Sequence, residues 1–212
     1  MNEKQVPLVV IKRLPRYYRY LGELLKNNIT RISSTELSEK MNVTASQIRQ
    51  DLNFFGGFGQ QGYGYNVPLL YERIGSILGL DKGYKTIIVG AGNLGHALAN
   101  YPGFANRGFE LLGIFDADES VVGTTVAGIT VKNISNLEEF VKEQKPDIAI
   151  LTVPKTAVFD VANRLVACGI KALWNFAYVD LELPNDVVVE NVHLSESLMT
   201  LSYRMTEKEN KR

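Results

Sequence analysis

One short run limits what this chain can fold into. Lys85-Thr86-Ile87-Ile88-Val89 reads as a strand, and its apolar end leads straight into Gly90-Ala91-Gly92-Asn93-Leu94-Gly95 and a helical stretch from His96 to Asn100. A glycine-rich turn between a strand and a helix is the dinucleotide-binding fingerprint in its required setting. The first glycine permits the tight turn, the second lets backbone approach a pyrophosphate, and the third lets the helix pack close to the strand. The phosphates then sit at the helix N-terminus. A second strand, Leu111-Leu112-Gly113-Ile114-Phe115-Asp116, ends in a carboxylate 21 residues after Gly95, where a ribose 2′-hydroxyl would be met. Ala117, Asp118 and Glu119 follow without Arg or Lys, so a 2′-phosphate would be repelled and NAD(H) is favoured over NADP(H).

The pattern continues through Ile129-Thr130-Val131, Asp147 to Thr152, Lys171 to Asn175 and Val187 to Val189, with helical stretches from Leu137 and from Ala157 to Cys168. Strands alternating with helices predict an α/β, doubly wound parallel sheet. Its ligand crevice lies at the carboxyl ends of the strands, which places Thr152, Val153, Pro154 and Phe176 near a bound nicotinamide. Gly90, Ala91, Gly92, Asn93, Leu94, Gly95 and Asp116 complete the expected nucleotide set. No acid–base constellation accompanies it, so an enzyme is not expected. His96 and His193 read as packing or surface residues, Cys168 as a buried thiol beside Leu165, and Lys155 as a solvated cation. One Cys and two separated His exclude a disulfide framework and give no metal site.

The first eighty residues differ. Tyr17, Tyr20, Leu21, Leu24 and Leu25 recur at helical spacing after Pro15. Ser33-Ser34-Thr35-Glu36 forms a capping box that opens a short helix, Asn42-Val43 breaks it, and Thr44 with Gln47 opens another that runs to about Phe54. Two capped helices across so short a turn make a helix-turn-helix. On the second, Ala45, Ile48, Leu52 and Phe55 share one face while Ser46, Arg49, Gln50 and Asn53 share another. Arg can bond guanine in bidentate fashion and Gln or Asn adenine, so the polar face suits a DNA major groove. Gly56 to Tyr65 reads as a β-wing. Candidate DNA contacts are Lys12, Arg13, Arg16, Ser46, Gln47, Arg49, Gln50, Asn53 and, at the wing, Gln61.

The 212 residues carry 23 basic and 23 acidic side chains, yet residues 1–80 hold 10 and 6 while residues 81–212 hold 13 and 17. One half suits a polyanion and the other does not. The expected division is a winged-helix domain over 1–80, a Rossmann domain over 81–193, and a closing helix with tail over 194–212. On that helix Leu194, Leu198, Leu201 and Met205 form a stripe that needs cover from its own sheet or a second subunit. No apolar run reaches the ~20 residues of a spanning helix and the start has no signal-peptide core, so a cytoplasmic location is expected, with no membrane partner.

Taken together, these features resemble the redox-sensing transcriptional repressor Rex family. The resemblance is carried by Lys12 to Leu21, the helix-turn-helix from Ser33 to Phe55, Gly62-Tyr63-Gly64-Tyr65, Gly90 to Gly95 through Tyr101-Pro102-Gly103-Phe104, Asn175-Phe176-Ala177 and Leu201-Ser202-Tyr203. It implies a homodimer that represses genes of fermentation and respiration, binds operator DNA when NADH is scarce and lets go when NADH binds, with NADH and NAD+ as its ligands. It also implies exchange of the C-terminal helix between subunits and a place for Tyr101 near the nicotinamide. Gly57 and Gln60 stand where the family's wing usually carries an acidic and a basic residue, and Tyr178 where Pro is usual. The alternative reading is an NAD-dependent oxidoreductase with a helical accessory domain.

Overall fold

The computed structural model describes residues 6–56, 59–60 and 63–210. The chain divides into two compact units, Met1–Lys82 and Gly83–Arg212.

The first unit begins with a four-residue helix α1 (Leu8–Ile11), too short to show periodicity, followed by α2 (Leu14–Lys26) with Pro15 in its first turn. Leu14, Tyr17, Leu21 and Leu24 of α2 are buried. Strand β1 (Arg31–Ile32) precedes α3 (Ser34–Met41), whose capping box is complete. The Glu36 N–H donates to Ser33 Oγ at 3.1 Å, and the Ser33 N–H to Glu36 Oε2 at 2.8 Å. Asn42, in the left-handed region at φ 52°, ends the helix. Thr44 then caps α4 (Ala45–Asn53) by accepting from the Gln47 N–H. This second box is only half made, because the Gln47 side chain turns to Asp51.

Strands β2 (Gly59–Gln60) and β3 (Gly64–Asn66) pair antiparallel, and β3 pairs with β1, giving the order β1-β3-β2 of a small wing sheet. Asn66 caps α5 (Val67–Ile77), a helix hidden in the sequence behind the glycine-rich run. Helices α2 and α5 interlock through two tyrosines. Tyr18 and Tyr71 stack at 4.2 Å, and each lies over the other helix's glycine, Gly75 and Gly22, where a Cβ would stand 3.0 and 3.1 Å from a ring.

The second unit runs β4 (Tyr84–Val89), α6 (Asn93–Ala99), β5 (Phe109–Asp116), β6 (Thr125–Val126), β7 (Ile129–Asn133), α7 (Leu137–Gln144), β8 (Ile148–Leu151), α8 (Lys155–Ala167), β9 (Ala172–Asn175), β10 (Val188–Asn191) and α9 (Leu194–Glu209). The sheet order is β10-β9-β8-β4-β5-β7-β6, and every pairing is parallel except β6 with β7. That edge hairpin departs from the expected all-parallel sheet. Its two-residue turn needs positive φ at both Ala127 (53°) and Gly128 (79°). Chain order reverses between β4 and β8, which makes their carboxyl ends the ligand crevice of a doubly wound fold.

The two faces of the sheet are covered unequally. On one, Ile87, Val89, Phe115, Ala149 and Leu151 pack under α7 and α8 through Leu137, Val141, Val158 and Leu165. On the other, Ile88, Ile114 and Ile150 meet Leu98 and Ala99 of α6. Beside α6 an apolar groove of about 750 Å³ lies open along this second face, lined in part by Leu98, Tyr101, Phe104, Ile150, Trp174 and Val188. Helix α9 does not fill it: no residue of α9 is buried, and Leu198 is 66% exposed. No helix among the described residues is long and apolar enough to cross a membrane.

Candidate nucleotide and DNA sites

The turn after β4 explains its glycines one by one. Gly90 sits at φ +106° and a Cβ there would come within 2.7 Å of the Thr152 backbone, so only glycine fits. A Cβ on Gly95 would stand 2.0 Å from the Gly90 carbonyl oxygen, which is how tightly α6 abuts the strand. Gly92 caps α6 with no side chain, has an ordinary φ of −72°, and a Cβ on it would meet nothing within 4 Å. Two of the three glycines are therefore demanded by the fold itself, whereas the third leaves room at a helix N-terminus that a phosphate could fill.

The remaining nucleotide candidates converge on this turn. Asp116 ends β5, where its Oδ2 accepts from the Ala91 N–H and its Oδ1 from the Asp118 N–H at 2.9 Å. The carboxylate is thus fixed against the glycine turn with lone pairs still available to a diol. Thr152 crosses from β8 and donates through Oγ1 to the Gly90 carbonyl at 2.7 Å. Val153 is half-buried and Pro154 exposed at the start of α8. Phe176 follows β9, and its N–H donates to the Leu151 carbonyl at 3.0 Å, tying the β8 and β9 ends together. Asn175, fully buried, shapes that loop: its Nδ2 donates to the Val179 carbonyl and to Asn191 Oδ1, while its Oδ1 accepts from the Ala177 N–H.

Tyr101 stands apart from the turn, 52% exposed at the groove. Edge-to-face contacts run from Tyr101 to Phe104 (4.8 Å), from Phe104 to Trp174 (5.5 Å) and from Trp174 to Phe176 (4.6 Å), so groove and crevice share one aromatic series. His96 is exposed, and Cys168 is a half-buried free thiol. His193 is bonded through Nδ1 to Glu196. Among the described residues no group of three His, Cys, Asp or Glu is placed to hold a metal ion.

In the first unit Ile48 and Leu52 are buried, and Ser46, Arg49, Gln50 and Asn53 lie exposed together on α4. Arg49 reaches back to Ser34 Oγ at 2.9 Å. Lys12, at the end of α1, and Arg16, in the first turn of α2, are exposed, while Gln61 lies outside the described residues. Arg13 and Gln47, expected at the DNA, instead bind the buried carboxylate of Asp51. Arg13 Nε and Nη2 donate to it at 2.6 and 2.7 Å, and Gln47 Nε2 at 2.9 Å. Asp51 itself escapes a reading of polar faces. The signal was its place one helical step from Ile48 and Phe55, on the edge of the apolar stripe.

Comparison with known proteins follows this division. Residues 5–53 match the model of a putative DNA-binding protein N-terminus, and residues 81–179 that of a CoA binding domain. A redox-sensing transcriptional repressor Rex of Thermoanaerobacter pseudethanolicus is 60% identical over 210 residues, 99% of this chain and 94% of the relative. The chain belongs to the Rex family of redox-sensing transcriptional repressors. A Rex repressor of Clostridioides difficile is 55% identical over 98% of this chain and 99% of its own. Solved structures of the Rex-family repressor RSP agree in fold. One, in complex with β-NAD+ and operator DNA, superposes with a TM-score of 0.90 at 59% identity over 96% of this chain and 94% of its own. Another, in complex with β-NADH, gives 0.90 at 56% identity over 97% of each chain. As the family consists of repressors, the oxidoreductase alternative falls.

Proposed function

We propose that this repressor works as a homodimer in the cytoplasm, that it holds operator DNA through α4 of each subunit while NADH is scarce, and that NADH releases it. One observation carries the reading: the same chain presents an exposed, groove-reading face on α4 and a glycine turn with Gly92 open at the N-terminus of α6. RSP, so similar throughout, is known in complex with each nucleotide and with operator DNA. Gly90 to Gly95 and Asp116 would grip the adenosine and pyrophosphate common to NADH and NAD+. The two ligands differ only at the nicotinamide, so discrimination belongs to Thr152, Val153, Pro154, Phe176 and Tyr101. A neutral dihydronicotinamide tolerates a closed apolar pocket that a charged pyridinium does not.

The unequal cover of the sheet supports the dimer. An apolar groove on one chain and an unburied apolar stripe on α9 supply complementary surfaces, and exchange of α9 between subunits covers both at once. Two winged helices then face half-sites at a fixed spacing, which rotation of the subunits would spoil. In this reading Lys12 and Arg16 would contact phosphates, and Ser46, Arg49, Gln50 and Asn53 would read base edges.

The test is reciprocity. If NADH weakens operator binding by some factor, operator must weaken NADH binding by the same factor. Titrating NADH with and without operator DNA should give affinities that differ by the factor seen in a gel shift, on the order of 5- to 150-fold, while NAD+ gives a far smaller one. Equal NADH affinities in the two titrations would leave the units uncoupled and refute the switch.

A further inference from the structure

The groove-reading helix is held from behind by one carboxylate. Asp51, the residue after Gln50 and before Leu52, is fully buried. Its Oδ2 accepts from Arg13 Nε at 2.6 Å and from the Tyr17 hydroxyl at 2.9 Å, and its Oδ1 accepts from Arg13 Nη2 at 2.7 Å and Gln47 Nε2 at 2.9 Å. Gln47 lies one turn back on α4 itself. Arg13 and Tyr17 lie 38 and 34 residues away at the start of α2, so the carboxylate ties one helix to the other.

A buried ion pair is a poor device for stability alone. Desolvating Asp51, and in part Arg13, whose side chain stays 24% exposed, offsets much of what their attraction returns, and well-packed apolar residues often serve as well or better. A guanidinium fork across both carboxylate oxygens supplies something an apolar contact does not, namely a fixed direction. Successive residues on a helix are about 100° apart, so a small roll of α4 about its axis would carry Arg49 and Asn53 away from the bases they face. Leu52 and Ile48 are smooth, rounded side chains that resist separation of the helices more than rotation between them. The clamp at Asp51 resists both.

We infer that Asp51 is a positioning residue that sets the roll of α4 and thereby the operator specificity of the protein, with Arg13 and Tyr17 as its anchors rather than as DNA contacts. This rests on the reading of α4 as the operator-reading helix.

The full-length protein tests it through affinities for operator and for a scrambled duplex of equal length, measured at several salt concentrations. The triple variant Arg13→Met/Tyr17→Phe/Asp51→Leu, with Tyr17→Phe included so that no buried hydroxyl is left without its acceptor, replaces the cluster by apolar residues and guards against a folding artefact. It should melt no lower than the parent by more than a few degrees and bind NADH as the parent does, yet its operator-to-scrambled affinity ratio should fall about tenfold or more. Arg13→Lys keeps the charge and loses the fork. It should lower the ratio too, with the scrambled affinity and its salt slope unchanged. If Arg13 were a phosphate contact instead, Arg13→Lys would preserve the ratio. A parental ratio in the triple variant, while Arg49→Ala lowers it, overturns the proposal alone. A parental ratio in both overturns the reading of α4 and the proposal with it.

Discussion

Gly92 and Gly95 stand three residues apart in one fingerprint and answer to different demands. The Gly95 Cα faces the Gly90 carbonyl oxygen, whereas the Gly92 Cα faces open space at the head of α6. Gly95→Ala should therefore destabilise the second unit by about 1–3 kcal/mol or more, since the backbone must move. Gly92→Ala should leave the melting temperature unchanged and weaken NADH binding at least tenfold. Thermal melts beside NADH titrations check both, and an NADH affinity untouched by Gly92→Ala would mean that no phosphate lies there. At Asp51 the relevant variable is pH. Burial pushes its carboxyl up, but the bonds from Arg13, Gln47 and Tyr17 outweigh this and hold it below the usual carboxylate range. The folded unit thus binds that proton more weakly than the unfolded chain, so the stabilisation is complete above about pH 4 and is lost as pH falls through the folded value. Asp51→Asn should cost about 1–3 kcal/mol at pH 7, with the gap to the parent narrowing below about pH 4 in denaturant titrations. The glycine turn and the place of Asp116 at the end of β5 are legible in the sequence because their spacing is rigid. Asp51 is not, because an acidic residue beside a polar face reads as solvated until the cation that meets it, 38 residues away, is placed.

At the scale of elements, what could be read depended on whether the signal was local. The Ser33 box opens α3 as its spacing predicts, and Thr44 caps α4. Helix α5 was masked, since Asn66 and Pro68, a cap and a first-turn proline, follow directly on glycines that read as hairpin. The β6–β7 hairpin was missed because Ala127 takes a positive φ that its residue type does not announce. Helix α9 shows its stripe plainly, but a stripe alone does not say what covers it. Leu194, Leu198, Leu201 and Met205 are all more than half exposed, so its own sheet does not. Leu198→Glu should accordingly split the proposed dimer, with sedimentation showing a species of about half the mass, and abolish operator binding while leaving the isolated α4 face unaltered. A variant that remains dimeric would place the subunit contact elsewhere.

For the whole molecule, the charge asymmetry of the sequence coincides with the physical division at Lys82 and Gly83, basic excess on one side and acidic on the other. On the proposed reading each unit carries half of a function that neither could carry alone, one reading DNA and the other reading a nucleotide. The groove and α9 add a constraint on assembly. On the proposed exchange, the helix and the groove that would receive it are unlike surfaces, and unlike surfaces on one chain polymerise unless the geometry brings the second helix back to the first groove. If α9 is exchanged, the choice between a closed pair and a growing fibre would be made at the root of α9, by the direction in which it leaves Val192 and His193. There Asn191, at the end of β10, is bonded to Asn175, and His193, the N-cap of α9, is bonded to Glu196 in the helix's first turn. On that reading, loosening the root should leave each chain folded and let the chains string together.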